Sequence, residues 1–451
     1  MGKKHDIDVL RGRVRGNVLT SSDDNYDNVR RVWNGMIDRR PEFIVQCTGA
    51  ADVISAVNFA RENELLVAVR GGGHSFPGFS VCDGGLMIDL LPMKGIRVDP
   101  SGKRVRAEPG LTWGEFDAET QTFGLATTGG MISHTGIAGL TLGGGFGWLC
   151  RKHGLTIDSL LSVDLVTADG NLLHASAQEN DNLFWGLRGG GGNFGVVSSF
   201  EYRLHSLSSV IGGLILYPLP QARQVLRGFR DFAASAPDDL VTVVAFLTAP
   251  DGQPAVGVFP GYSGEPGKAE QCIQPLRNLG TPIMEQLGPM PYPALQKMFE
   301  AMAVPQRRYY MRSNFMDEIS DATIDIFAES FAGVPSPFTA IVIVTLGGAV
   351  ARVAPDATAF SHRDALYTMS ISGSWTMPED DKVNIDWLKD LWARLGPHLA
   401  AGVYVNELAD EGAARVREAY GEATYSRLVT LKRKYDPGNL FRLNQNIPPT
   451  D

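Results

Sequence analysis

Between residues 42 and 200, short apolar runs alternate with segments whose apolar positions recur at helical spacing. EFIVQC (42–47) is a strand-like run, and ADVISAVNFARENE (51–64) sets Val53, Val57 and Ala60 at helical spacing with Asp52 near its start. LLVAVR (65–70), GGLMIDL (84–90) and KRVRAEPG (103–110) predict further strands, and LTWGEFDAETQTFG (111–124) a helix. SVDLVTADGNLLHAS (162–176) is two β runs joined at Asp169-Gly170, a dipeptide suited to the positive-φ positions of a tight hairpin. After about Leu204 the texture changes. GGLILYPL, LVTVVAFLT, FTAIVIVTLGG and LYTMSISGSW alternate with helical segments, which predicts a second unit built on a largely antiparallel sheet with helices on one face. From about Asn406 the chain turns helical and basic (ARVREAYGEATYSRLVTLKRKY), stops at Asp436-Pro437-Gly438 and ends in NLFRLNQNIPP. No internal repeat or low-complexity tract occurs.

Length and composition narrow the picture. A chain of 451 residues exceeds one ordinary core, so two or three domains are expected. The hydrophobic fraction of 44% and charged fraction of 20% suit a globular protein. A net charge of −9 gives no reason to expect nucleic acid or an anionic membrane as partner. No run of about 18 apolar residues predicts a membrane span, and MGKKHDIDVLRGRV carries no secretory signal pattern. Cys47, Cys82, Cys150 and Cys272 are scattered without a CxxC pair, so no zinc site, metal site or disulfide framework is expected, and a cytoplasmic location fits best.

The glycines carry the chemistry. They cluster at Gly71–Gly73, Gly143–Gly147 and Gly189–Gly195. Glycine-rich turns offer successive N–H groups to phosphate oxygens and let backbone approach a ligand closely. The first cluster runs directly into a histidine, in RGGGHSFPG. Taken alone, that is either a flexible turn with an incidental imidazole or a loop that presents one. Gly190, Gly192 and Gly195 match GxGxxG, but a helical run (NLFWGLR) precedes them and an alternating strand (VVSSFEYRL) follows. That context is the reverse of a Rossmann fingerprint, and no GxxxxGK[ST] occurs. Three loops within about 125 residues predict a long phosphate-bearing cofactor laid across several strand ends.

RGGGHSFPGFSVCDGGLMIDL, GGMISHTGIAGLTLGGGFGWL, GLTIDSLLSVDLVTADG, NLFWGLRGGGGNFGVV and KYDPGNLFRLNQNI, in that order, resemble the berberine-bridge-enzyme-like FAD-linked oxidases of the vanillyl-alcohol-oxidase superfamily. The resemblance spans nearly the whole chain and is weakest between about 207 and 400. It implies an α+β protein: a PCMH-type FAD-binding domain plus a substrate domain with a large antiparallel sheet flanked by helices. On this reading residues 1–205 and 405–451 form the FAD-binding unit and 206–404 the substrate-binding domain. The first loop (Arg70, Gly71, Gly72, Gly73, His74, Ser75, Gly78) then wraps the FAD, with His74 bonded to the 8α carbon of the flavin. A neutral imidazole near pH 7 is a competent nucleophile for that bond. Gly130, Ser133, His134, Thr135, Gly136, Gly139, Gly143, Gly144, Gly145, Gly195 and Val196 are the further cofactor positions, with Asn444 and Asn446 from the closing motif.

Some members carry a second link from a cysteine in a Cys-Pro-x-x-Gly segment. The matching segment here, Ile132-Ser133-His134-Thr135-Gly136, has none. Cys150 follows the second cluster and reads as a buried small apolar residue, and a single link through His74 is expected. His134 and His153 also read as hydrogen-bonded structural histidines. Thr135 falls at the position implied to govern oxygen access. The resemblance implies hydride transfer from a C–H beside a hydroxyl or amine to flavin N5, with dioxygen reduced to H2O2. The family's Tyr-x-Asn-Tyr is Tyr404-Val405-Asn406-Glu407 here. Tyr404 is the expected base with Asn406 beside it on a strand, Glu407 is expected to face away, and Tyr309 and Tyr310 are further candidates. A dehydrogenase with another acceptor, or a flavin-bound protein without turnover, remain as alternatives. The small-molecule substrate and the oligomeric state are not readable.

Overall fold

A computed structural model describes residues 7–450; Met1–Asp6 and Asp451 lie outside the described residues. The anticipated elements form nearly where the pattern places them. The strands Phe43–Gln46, Leu86–Asp89 and Val67–Arg70 pair in parallel, with Val18–Leu19 antiparallel on the outer edge. The helix Ala50–Glu62 packs Val53, Ala56, Val57 and Ala60 into the core beneath this sheet. Next to it stands a five-stranded antiparallel sheet in the order Ile96–Asp99, Arg104–Ala107, Val196–Arg203, Leu160–Val166, Leu172–Ser176. The Asp169-Gly170 hairpin joins the last two strands, with Gly170 at φ 83°. The helix Trp113–Gln121 begins with a capping box. The Thr112 side chain accepts from the Glu115 backbone N–H, and Glu115 Oε2 accepts from Thr112 N at 2.8 Å.

Residues 210–375 build a seven-stranded sheet in which every pairing is antiparallel. The strand period of two divides its faces. Val244, Phe246, Ile341, Ile343, Met369 and Ile371 join the core under the helices Ala222–Ala233, Asp321–Phe331 and Asp381–Leu395. Ala340, Val342, Val344, Thr368, Ser370 and Ser372, on the other face, line a cavity. Three strands of this sheet, Pro254–Tyr262, Met284–Met290 and Arg308–Met316, were not anticipated. The first two carry internal proline and glycine, which mask a strand pattern.

The C-terminal helices Ala413–Tyr420 and Glu422–Tyr435 return to the core of the first unit, where Tyr420, Leu428 and Leu431 pack with Phe194 and Leu187. Lys432 locks the ending. Its Nζ, fully buried, donates to Asp436 Oδ2 (2.7 Å), Asn193 O and Phe441 O (2.9 Å each). Asp436 in turn accepts from Leu440 N and Phe441 N. The basic tail is therefore partly an internal fastening. A second buried pair, Arg363–Asp158 (2.8 Å), ties the sheet unit to the glycine unit. Removing either partner of such a pair costs about 3–5 kcal/mol.

Candidate active site

The three glycine loops, the C-terminal ending and the inner face of the seven-stranded sheet enclose one cavity of 460 Å³. Gly71, Gly72, Gly73, His74 and Ser75 line it from the first loop, Gly130, Thr135, Gly136 and Gly139 from the second segment, and Gly195 and Val196 from the third. Close approach explains the glycines. A Cβ on Gly72 would stand 2.3 Å from Gly136 N, so the first two loops touch backbone to backbone. A Cβ on Gly143 would fall 2.2 Å from Asn406 Oδ1.

His74 leaves this loop half-buried and lines the cavity. Its Nε2 lies 2.7 Å from His134 Nδ1, and its ring is stacked on Trp33 at 5.0 Å between centroids. Burial, with His134 alongside, draws the imidazole down to about 3, so it is neutral at physiological pH. Trp33 is also stacked with Tyr309 at 3.7 Å and donates Nε1–H to Ala303 O at 2.9 Å. Nothing in the pattern around Trp33 singles it out in the sequence.

Several expected cofactor residues support the cavity without lining it. Arg70 is buried beneath the loop, its guanidinium engaged by Asp89 at 2.6 and 2.9 Å. Gly78 receives Arg39 Nη1–H on its carbonyl at 2.8 Å. Ser133 hydrogen-bonds Glu300 of the sheet unit, and His134 meets His74. Gly143, Gly144 and Gly145 pack against Asn406, Phe360 and Thr156. Asn444 lines the cavity with its Oδ1 buried and unpartnered, whereas Asn446, also with an unpartnered Oδ1, does not line it. Asn193, Gln445 and Tyr420, whose buried hydroxyl is unpartnered, line it as well. Asn193 holds Ile447 N at 3.0 Å and Gln445 O at 3.2 Å, so the chain's ending is fixed at this wall.

The segment at Tyr404 departs from the expected strand. Val405–Glu407 form a single 3-10 turn with Tyr404 preceding it in extended conformation. The turn replaces the period of two, so Glu407 does not face away: Tyr404, Asn406 and Glu407 all line the cavity. The Tyr404 oxygen accepts from Gly145 N at 2.9 Å and from Asn406 Nδ2 at 2.8 Å, and Asn406 Nδ2 also donates to Leu140 O at 3.0 Å. Burial raises the phenol above its ordinary range. No basic side chain of the lining lowers it: Lys94 pairs with Glu115, and Arg307 lies 3.9 Å over the Phe338 ring. Burial likewise pushes the Glu407 carboxyl up to about 8. Tyr309 lines the cavity but gives its proton to Val304 O at 2.7 Å, and Tyr310 lies against the helix-covered core.

Cys150 is buried among Trp148, Leu149 and Leu155, away from the cavity lining, and burial pushes its thiol up to about 11. All four cysteines are free. His153 stacks on His205 at 3.8 Å beside a separate cleft. Among the described residues no cluster suits a metal ion and no helix is long and apolar enough to cross a membrane.

The residues fit a flavin dinucleotide. At Gly72 and Gly136 the cradle is bare backbone where a Cβ would collide, and Asn444 and Tyr420 line it with a buried Oδ1 and a buried hydroxyl that have no protein partners. A neutral imidazole stands on its wall. The comparisons agree. Residues 41–176 match the FAD binding domain family and 403–448 the "Berberine and berberine like" family. A FAD-linked oxidoreductase of Dictyostelium discoideum is 35% identical over 97% of this chain and 95% of its own length. The (R)-6-hydroxynicotine oxidase of Paenarthrobacter nicotinovorans is 32% identical over 97% of both. The crystal structure of 6-hydroxy-D-nicotine oxidase from Arthrobacter nicotinovorans superposes with a TM-score of 0.89 at 29% identity, covering 97% of this chain and 98% of that one. The chain therefore belongs to the berberine-bridge-enzyme-like FAD-linked oxidoreductases.

Proposed function

We propose that this protein is an oxidase that holds FAD through a covalent bond to His74, takes a hydride from a substrate C–H beside a hydroxyl or amine, and passes the electrons to dioxygen, giving H2O2. The observation that carries the reading is the position of His74. It is a neutral imidazole, oriented by His134 and clamped by Trp33, at the rim of a glycine cradle. The cofactor's part is electron acceptance; the rest falls to the chain. Residues 1–205 and 405–451 hold the flavin, and 206–404 cap it and shape the substrate pocket. Thr135, small and on the cavity wall, leaves room for oxygen. Four unpaired cysteines support a cytoplasmic location.

Tyr404 and Asn406 work at the reacting end. The Tyr404 oxygen receives two N–H bonds, which fix the ring and, against the burial that disfavours it, stabilise the phenolate, the form that takes the substrate proton. Asn406 ties Tyr404 to the Leu140 carbonyl and so holds the turn against the second glycine segment. The test is a screen of alcohols and amines with peroxide detection, followed by anaerobic reduction and reoxidation of the purified enzyme. The expected results are stoichiometric H2O2 and a reductive step slowed roughly 10²-fold by Tyr404→Phe with flavin content unchanged. Reoxidation only by an artificial acceptor would make the enzyme a dehydrogenase. An unchanged reductive step in Tyr404→Phe would remove Tyr404 from the proton path.

A further inference from the structure

The cavity is electrostatically one-sided. Its described lining includes many apolar side chains and the hydroxyls of Thr368, Ser370 and Ser372, with no lysine, arginine or aspartate. Among the described residues Glu407 is the only acid on it. The 3-10 turn brings this side chain to the wall shared by the glycine unit and the inner sheet face. The Ser313 and Thr368 hydroxyls lie beside the carboxyl, yet Oε2 has no partner in hydrogen-bond geometry and neither does Thr368 Oγ1. The arginines of the adjoining strand and helix are engaged elsewhere: Arg312 by Glu411 at 3.2 Å, and Arg415 by Glu418 at 2.7 Å. A buried carboxyl without a counter-cation is costly when ionised. The neighbouring hydroxyls meet that cost only in part and no lysine or arginine lines the cavity to meet the rest, whereas a cationic ligand would.

We propose that Glu407 is the specificity-determining residue of the pocket and that the substrate is an apolar amine, recognised through its ammonium group. This rests on the oxidase reading above and narrows its substrate class. The amine and Glu407 share one proton. The pair is ammonium–carboxylate or amine–carboxylic acid, neutral overall in both, so no net charge is buried. Loss of that proton to Glu407 leaves the nitrogen lone pair free, as removal of a hydride from the neighbouring carbon requires. The side chain's raised proton affinity favours the transfer. A carboxylate or phosphate substrate would find no cationic side chain on the wall. An oligosaccharide would find on the inner sheet face the hydroxyls of Thr368, Ser370 and Ser372 and that of Tyr309, which is already engaged by Val304 O.

The experiment uses the flavin-loaded enzyme and unreactive probes. Phenyltrimethylammonium, its uncharged isostere tert-butylbenzene and benzenesulfonate are titrated calorimetrically and by equilibrium dialysis. The quaternary nitrogen has no lone pair and no N–H, so no turnover intrudes. Expected is roughly tenfold tighter binding of the cation than of the isostere, no measurable binding of the anion, and near parity of cation and isostere in Glu407→Gln. Equal binding of cation and isostere by the wild-type enzyme overturns the proposal without any variant, and so does a preference that survives Glu407→Gln. Flavin content, and the peroxide released when the dithionite-reduced flavin meets dioxygen, are measured in the same preparation. Loss of those refutes the oxidase reading, whereas loss of the cation preference alone refutes only the amine assignment.

Discussion

The two walls of the cavity are built on opposite plans. The wall assigned to the cofactor is largely backbone: glycine loops that touch each other, a histidine and a chain ending held by Asn193 and Lys432. The wall assigned to the substrate is side chain, presented two residues apart by strands whose other faces are buried under helices. The first plan tolerates almost no added atom at Gly72 and Gly136, because a Cβ on either would displace the other's backbone. The second tolerates exchange, because a strand keeps its hydrogen bonds whatever alternates on its inner face. One scaffold can therefore hold one cofactor while the cap varies.

The largest effect expected from breaking this contrast is at Gly72. Gly72→Val puts a Cβ 2.3 Å from Gly136 N, where neither loop has a side chain to move aside. Soluble protein, if recovered, should retain less than about a tenth of wild-type flavin, since overpacking costs about 1–3 kcal/mol or more. Absorbance at the flavin band relative to protein checks this. The matching change on the other wall, Val342→Ala, should leave flavin content unchanged and alter substrate affinity only. Equal flavin loss in both variants would erase the distinction between the walls.

A smaller effect is expected where the walls meet. Trp33 links His74 of the first loop to Tyr309 of the sheet. Trp33→Ala removes both stacks, each worth about 0.5–1.5 kcal/mol. His74 should remain competent but less well held, so attachment of added FAD to apoprotein should slow several-fold while its final extent is kept. Attachment kinetics by in-gel flavin fluorescence measure it, and an unchanged rate would reduce Trp33 to ordinary packing.

The same contrast explains what the sequence discloses. Bare-backbone contact requires glycine, so the three clusters and the histidine that follows the first are visible as residue types. The hairpin at Asp169-Gly170 and the helix at Trp113–Gln121 are visible for a similar local reason, turn chemistry and capping. The inner sheet face is not. Thr368, Ser370 and Ser372 form an ordinary alternating strand until the fold shows which face is enclosed. Trp33 comes from a segment without regular pattern and acts only through partners distant in sequence. Glu407 is the instructive miss. A strand through Tyr404 would have turned it outward, and a 3-10 turn of three residues, a change too small to leave a sequence signal, turns it into the cavity.

The central claim is that this cavity holds FAD bonded to His74 alone, and the most direct measurement is mapping the flavin bond. Acid-precipitated protein should stay yellow, and after proteolysis the flavin should be found on the peptide containing His74. His74→Ala should release all flavin on denaturation. Cys150→Ser, a change in a buried thiol remote from the cavity lining, should leave the bond intact. Flavin that washes out of the denatured wild-type protein, or a label on a cysteine peptide, would contradict the account.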